Sequence, residues 1–281
     1  NCRNIILNKM QLSNFQNFGI LGYDVNGLTM SQIVVTHSSG KNGTNASLNE
    51  GSATFGKFVE RNGLTGTVSI SNCTIEDGYV NNLHLVNTSG SITQFNLTNS
   101  IIQDNSSVAP GLDGLRIEAY GTASVTADID NCQFLRNLSF GAFVRNNSTG
   151  NVDVEFKNST SFTDNVTGIG LLVESSGDLS FDILGCAFSV PGLAIAFDAI
   201  SCQIASTSTS SSLFSGTIAN NAVDNNNNAN ADGIYIRAQG AGALTTTISY
   251  NNFTKIKRDG IEIVNIGSGT MNATITGNNI D

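Results

Sequence analysis

Apolar and polar residues alternate along this chain in short bursts, and one six-residue phrase recurs among them. It reads apolar, polar, Asn, small, polar, apolar, as in Ile129-Asp130-Asn131-Cys132-Gln133-Phe134. It returns at Ile70–Ile75, Leu97–Ile102, Ile183–Phe188, Ile218–Val223, Ile248–Phe253 and Ile275–Ile280, and with one extra residue at Phe156–Phe162. The residues leading these phrases are 27, 32, 27, 27, 35, 30 and 27 positions apart. A base period of 27 with insertions marks a solenoid. Two earlier rungs are expected, led by Leu7 (with Leu12) and by Leu28 (with Ile33).

Each rung carries three apolar segments. The first alternates with period two, as in Val125-x-Ala127-x-Ile129, which describes a strand with one face in and one face out. The second is the short piece ending at Phe134, Phe188 or Phe253. The third follows a glycine: Asp113-Gly114-Leu115-x-Ile117, Asp232-Gly233-Ile234-x-Ile236 and Asp259-Gly260-Ile261-x-Ile263. Three strands in about 27 residues leave no room for helices, and a propeller blade needs about 40 residues and four antiparallel strands. Stacking each strand on its equivalent one rung earlier pairs every backbone group at a spacing of ~4.8 Å. The expected fold is all-β: a single-stranded parallel β-helix forming one domain over residues 1–281.

Segments 37–49, 103–112 and 224–231 are expected to protrude between the second and third strands of their rungs. Segment 199–212, with its Ser/Thr run, is expected to be an exposed loop between a third strand and the next rung. Both ends stop in mid-pattern without a capping helix, so the expectation is a segment of a longer solenoid, able to associate end to end.

The Asn column and the Gly-apolar-x-apolar strand resemble the right-handed parallel β-helix, or pectin-lyase-like, superfamily. The chain is similar to its generic extracellular parallel β-helix repeat proteins over nearly all of its length. The resemblance implies a right-handed coil and an extracellular or cell-surface location. It also implies an asparagine ladder at the turn between the second and third sheets, which Asn72, Asn99, Asn131, Asn158 and Asn220 would form. Asn tolerates left-handed backbone, and its amide can bond the same amide one rung away. Gly185, Tyr250 and Gly277 are expected to interrupt that ladder.

Composition narrows the function classes. Only 12% of residues are charged, yet 40% are hydrophobic, which is enough for a core and argues against disorder. A net charge of -9 repels phosphate backbones, so no nucleic-acid partner is expected. No apolar run approaches the ~20 residues of a membrane span. Five Cys without a CxxC pair fit neither a disulfide scaffold nor a zinc site. Cys73, Cys132 and Cys186 share one repeat position, with Ser100 and Ser159 between them. Two rungs apart, roughly 10 Å, they exceed the ~7 Å reach of a disulfide and read as small core residues. Asn-x-Ser/Thr sequons are frequent, but Asn72 and Asn158 fall in the repeat column, where burial is expected. No HExxH, GxSxG, P-loop or dinucleotide motif occurs, so no catalytic residue is assigned.

Candidate chemistry lies in what differs between rungs. Outward positions of the third strand carry His84, Arg116, Glu118, Phe143, Arg145, Glu174, Tyr235, Arg237 and Glu262, and the insertions flank this face. Arg, Glu and Tyr there can bind a glycan by hydrogen bonds and ring stacking. Alternatively, Glu118, Arg145 and Glu174 on successive rungs form a cross-strand ion ladder. A second outward group, Asp128, Asp130, Asp153, Glu155 and Asp182 on the first strand, can hold Ca²⁺ or simply solubilise the surface. No other cofactor is expected. The first reading is a non-enzymatic secreted or cell-surface stalk, filament or adhesin segment, with a glycan or another surface protein as partner. The second is a polysaccharide lyase or hydrolase, or a phage-tailspike-like glycan-processing β-helix.

Overall fold

A computed structural model of the chain describes residues 2–36, 51–57, 61–105, 112–191 and 197–281. They form a right-handed parallel β-helix with three sheets. Two sheets have ten strands and one has nine, and every strand neighbours its equivalent one rung away. The first sheet begins with Cys2–Asn8 and ends with Met271–Thr276. The second consists of short strands from Gln11–Ser13 to Asn279–Ile280, and the third runs from Ile20–Gly22 to Ile261–Asn265.

The alternating pattern becomes burial directly. In Ser124–Asp130 the residues Val125, Ala127 and Ile129 point inward and their neighbours outward. In the second sheet one inward residue per rung builds a column in which Phe134, Phe162 and Phe188 stack. Ring centroids are 4.8 and 5.0 Å apart and the planes nearly parallel. Second-sheet rings explain the glycine at two of the third strands. A Cβ on Gly141 would lie 2.7 Å from the Phe162 ring, and one on Gly233 equally close to Phe253.

Every rung turns its first corner on a left-handed residue, and this corner joins the first and second sheets, so the Asn column lies there and not between the second and third sheets as the resemblance implied. Asn72, Asn99, Asn131, Asn158 and Asn220 have φ between 49° and 58°, as do Lys9, Gln32 and Tyr250, while Gly185 and Gly277 have φ of 64°. The recurrent Asn therefore supplies a backbone conformation that most L-residues avoid. It does not supply a buried ladder. These five side chains are exposed, and the one amide bond along the column runs from Asn131 Nδ2 to Asn99 Oδ1 at 2.8 Å. The burial expected for Asn72 and Asn158 is corrected accordingly, because the turn projects a left-handed side chain away from the core.

Buried amide ladders exist at other positions. Between the second and third strands, Asn82 donates to Asn137 (2.9 Å) and Asn137 to Asn165 (2.8 Å). At the first corner, Asn221 donates to Asn251 and Asn251 to Asn278, both at 2.9 Å. The latter three continue the inward small-residue column of Cys73, Ser100, Cys132 and Cys186. Along it a polar side chain accepts the backbone N–H of the rung before: Ser100 from Cys73, Thr160 from Cys132, Asn221 from Cys186. Thr160, not Ser159, occupies this column, because the longer turn spends two left-handed residues, Asn158 and Ser159. Burial pushes the Cys132 and Cys186 thiols up to about 12, so they are inert filler.

Two further expectations are corrected. The second rung is led by Met30, which pairs with Leu7 and Ile70, while Leu28 sits two residues earlier in the same strand. Both point inward, and only the left-handed Gln32 shows where the corner falls. Residues Ile200–Ile204, assigned to a loop, form a buried third-sheet strand with Cys202 inward. Residues 205–212, with the Ser/Thr run, do connect that third strand to the next rung's Leu213–Ala219 and are mostly exposed, as expected. Segment 37–49 and most of 103–112 lie outside the described residues.

Candidate functional site

The outward face of the third sheet carries two side-chain columns. One runs His84, Arg116, Phe143, Gly170, Ser201, Tyr235, Glu262; the other runs Val86, Glu118, Arg145, Leu172, Gln203, Arg237, Val264. The sequence candidates are thus on one face, but they divide into two groups with different roles.

The first group is an ion network. The Glu118 carboxylate, almost wholly buried, accepts from Arg116 Nη2 (2.9 Å) and Tyr120 Oη (2.9 Å), and lies 2.9 Å from His84 Nε2. Arg116 also bonds Asp113 Oδ2 at 2.7 Å and stacks over Phe143 at 4.6 Å. Arg145 pairs with Glu174, bonds Tyr120 at 2.8 Å and reaches Glu118 at 3.4 Å. Burial alone would raise the Glu118 carboxyl, but the bonds and charges of His84 and Arg116 outweigh it and hold it well below the usual range. These residues mostly answer one another, as the ion-ladder reading expected.

The second group surrounds an open groove of about 320 Å³ lined by Phe140, Ser201, Gln203, Asp232, Tyr235 and Glu262, among others. A hollow of about 210 Å³ continues it over Gly170 and Leu172, sharing Phe140, Ser201 and Gln203. The floor is low because two successive rungs place Gly170 and Ser201 between Phe143 and Tyr235. Phe197, more than half exposed, stands beside it. Arg237 lies in the neighbouring column with its Nε buried and unpaired. Tyr235 and Glu262 are therefore the sequence candidates that the groove brings together.

One end of the groove is acidic. Oxygens of Asp232, Asp259 and Glu262 lie within 4.8 Å of one another, with Asp198 on the adjacent rung. Arg258 Nε is 3.3 Å from Asp232 Oδ1, and its Nη2 is 3.0 Å from Glu262. Asp232 and Asp198 have a structural duty: each accepts the backbone N–H of the equivalent residue one rung on, Asp259 and Asp232, at 3.2 Å. Asp113 does the same for Phe140 at 3.1 Å. That duty uses Oδ1 of Asp232, whereas its buried Oδ2 has no partner. Burial, the neighbouring Glu262 carboxyl and the Asp198 charge push Asp232 up to about 7, and burial likewise raises Asp198.

Sequence reasoning missed Asp198, Asp232, Asp259, Arg258 and Phe140. A signal was present: Asp recurs before the glycine at 113, 232 and 259. It reads there as part of a strand motif, because the convergence with Glu262 spans two rungs.

The first-strand acids do not converge in this way. Lys157 Nζ lies 2.8 Å from Asp128 and 2.6 Å from Glu155, and Asp153 accepts from Ser180 at 2.6 Å. A lysine stands where Ca²⁺ would have to bridge two of the expected ligands. Among the described residues, the carboxylates spaced for a cation are instead those on the third sheet. Among the described residues, no helix is long and apolar enough to cross a membrane.

Comparison with known proteins found no family model, no curated protein and no solved structure that the chain matches.

Proposed function

We propose that this chain is a non-enzymatic extracellular or cell-surface β-helix whose third-sheet groove binds a glycan. The observation that carries the reading is the trough over Gly170 and Ser201, walled by Phe140 and Tyr235 and edged by Gln203, Asp232 and Glu262. Aromatic walls over a polar floor suit sugar rings, whose C–H faces stack and whose hydroxyls take hydrogen bonds. The chain's stacked rungs and corner asparagines support a place in the pectin-lyase-like superfamily, and a stalk or adhesin role would use the rungs as a rigid spacer. A glycan array probed with the full chain tests the reading. Binding that Tyr235→Ala abolishes supports it, and no binding to any glycan overturns it.

A second reading, glycoside hydrolysis, is favoured by one pair. A protonatable Asp232 beside Glu262, with oxygens within 4.8 Å, approaches the ~5–5.5 Å separation of retaining glycosidases. Release of new reducing ends from a bound glycan, lost in Glu262→Gln, would select it over the binding reading.

A further inference from the structure

The geometry points to a glycan bearing free primary amines as the ligand of this groove, its ammonium group seated at the Asp232–Asp259–Glu262 end. The inference rests on the glycan-groove reading and adds the chemical class.

Two independent observations lead to it. The first is charge. Asp198, Asp232, Asp259 and Glu262 meet at one end of the groove against a single guanidinium, Arg258. The cations further along the face, Arg116 and Arg145, are committed to Asp113, Glu118 and Glu174. Arg237 sits in the next column and does not line the groove. A uronate or sulfated chain would therefore bring its anions against uncompensated carboxylates, whereas an ammonium complements them.

The second observation is the orphaned oxygen. Asp232 is completely buried, and its Oδ2 has no hydrogen-bond partner. A buried acceptor left unpaired carries its full desolvation cost, which a donor arriving with the ligand removes. An ammonium has three donors, enough to reach Asp232 Oδ2 and the nearby Glu262 and Asp259 oxygens together. The aromatic side chains Phe140, Phe197 and Tyr235 beside the same space favour a cation carried on a ring over a bare ion.

The test titrates the full chain with a β-1,4-linked glucosamine tetramer and with its fully N-acetylated form, at pH 7, where Asp232 is substantially ionised, and low salt. The two share a backbone and differ only in the amine. The expected result is a preference for the free amine on the order of tenfold, weakened by salt. Asp232→Asn, an isosteric change that keeps an oxygen for Asp259 N–H, brings that ratio toward one. Tyr235→Ala weakens both oligomers alike. If Asp232→Asn fails to fold by circular dichroism, Glu262→Gln reads the same ratio from a more exposed position. Equal binding of the two tetramers overturns the amine assignment and leaves the groove reading standing. Failure of both to bind overturns the assignment, and the glycan array then judges the groove separately. Tighter binding of polygalacturonate overturns it by sign of charge. Tri-lysine binding at least as tightly overturns the glycan in favour of a basic peptide. Calcium chloride binding that Asp232→Asn removes overturns it in favour of a metal ion.

Discussion

At Glu118 a single carboxylate holds His84, Arg116, Tyr120 and Arg145 in place, with almost no contact with water. Removing one member of a buried ionic network is far costlier than the network's net worth, because the others are left desolvated. Glu118→Ala is therefore expected to cost about 3–5 kcal/mol in urea denaturation, and Glu118→Gln less, since an amide oxygen still accepts. Gly185 poses the opposite case. It takes the left-handed corner, and a Cβ there would meet nothing within 4 Å. Gly185→Asn restores the residue type of the other corners and should stay within about 0.5 kcal/mol of the parent. Gly185→Val, β-branched at positive φ, should lose about 1–2 kcal/mol. Thermal melts of the two variants side by side check the contrast.

Among the elements, the short second-sheet strands do more than their three residues suggest. Phe162 lies between Phe134 and Phe188 in a nearly parallel stack and packs edge-on against Phe156. Phe162→Ala should cost about 3–5 kcal/mol, as for other buried aromatic truncations, and equilibrium unfolding measures it. Strands of the other two sheets show how far pattern reading reaches. The alternation Ile200-x-Cys202-x-Ile204 is as regular as in any other rung, yet the neighbouring Ser/Thr run draws the eye to a loop. Leu28 and Met30 both point inward, so period two cannot choose between them as the rung leader. Register is decided by which residue takes the left-handed corner, and Gln32 gives no hint of it in the sequence.

For the whole molecule, titration sets opposing slopes. The Glu118 carboxyl is lower in the folded state than in the unfolded chain. Its contribution is fully present above the ordinary carboxylate value and is lost as pH falls below it. Asp232 and Asp198 are raised, so the folded state binds more protons than the unfolded chain above pH ~4. Stability therefore falls as pH rises from about 4 towards about 7, while Arg258, Asp259 and Glu262 surround the titrating group. Unfolding free energies at several pH values should peak in the mildly acidic range. Asp232→Asn should flatten the limb on the neutral side, and an unchanged slope in that variant would refute the assignment to Asp232.

The period of 27, the alternation within each first strand and the Gly-apolar-x-apolar third strands were enough to define a three-sheet parallel β-helix from sequence alone. These are local and repeated signals, and stacking multiplies each one across ten rungs. The recurring Asn marked left-handed corners, though between the first and second sheets and not the second and third, and the amide ladders belong to Asn82, Asn137 and Asn165 and to Asn221, Asn251 and Asn278. The groove needed the tertiary structure. Its floor arises from Gly170 and Ser201 on different rungs, and its acidic end from Asp198, Asp232, Asp259 and Glu262 on three. Contacts between rungs join residues about 30 positions apart, and no short-range pattern records which of them face the same space.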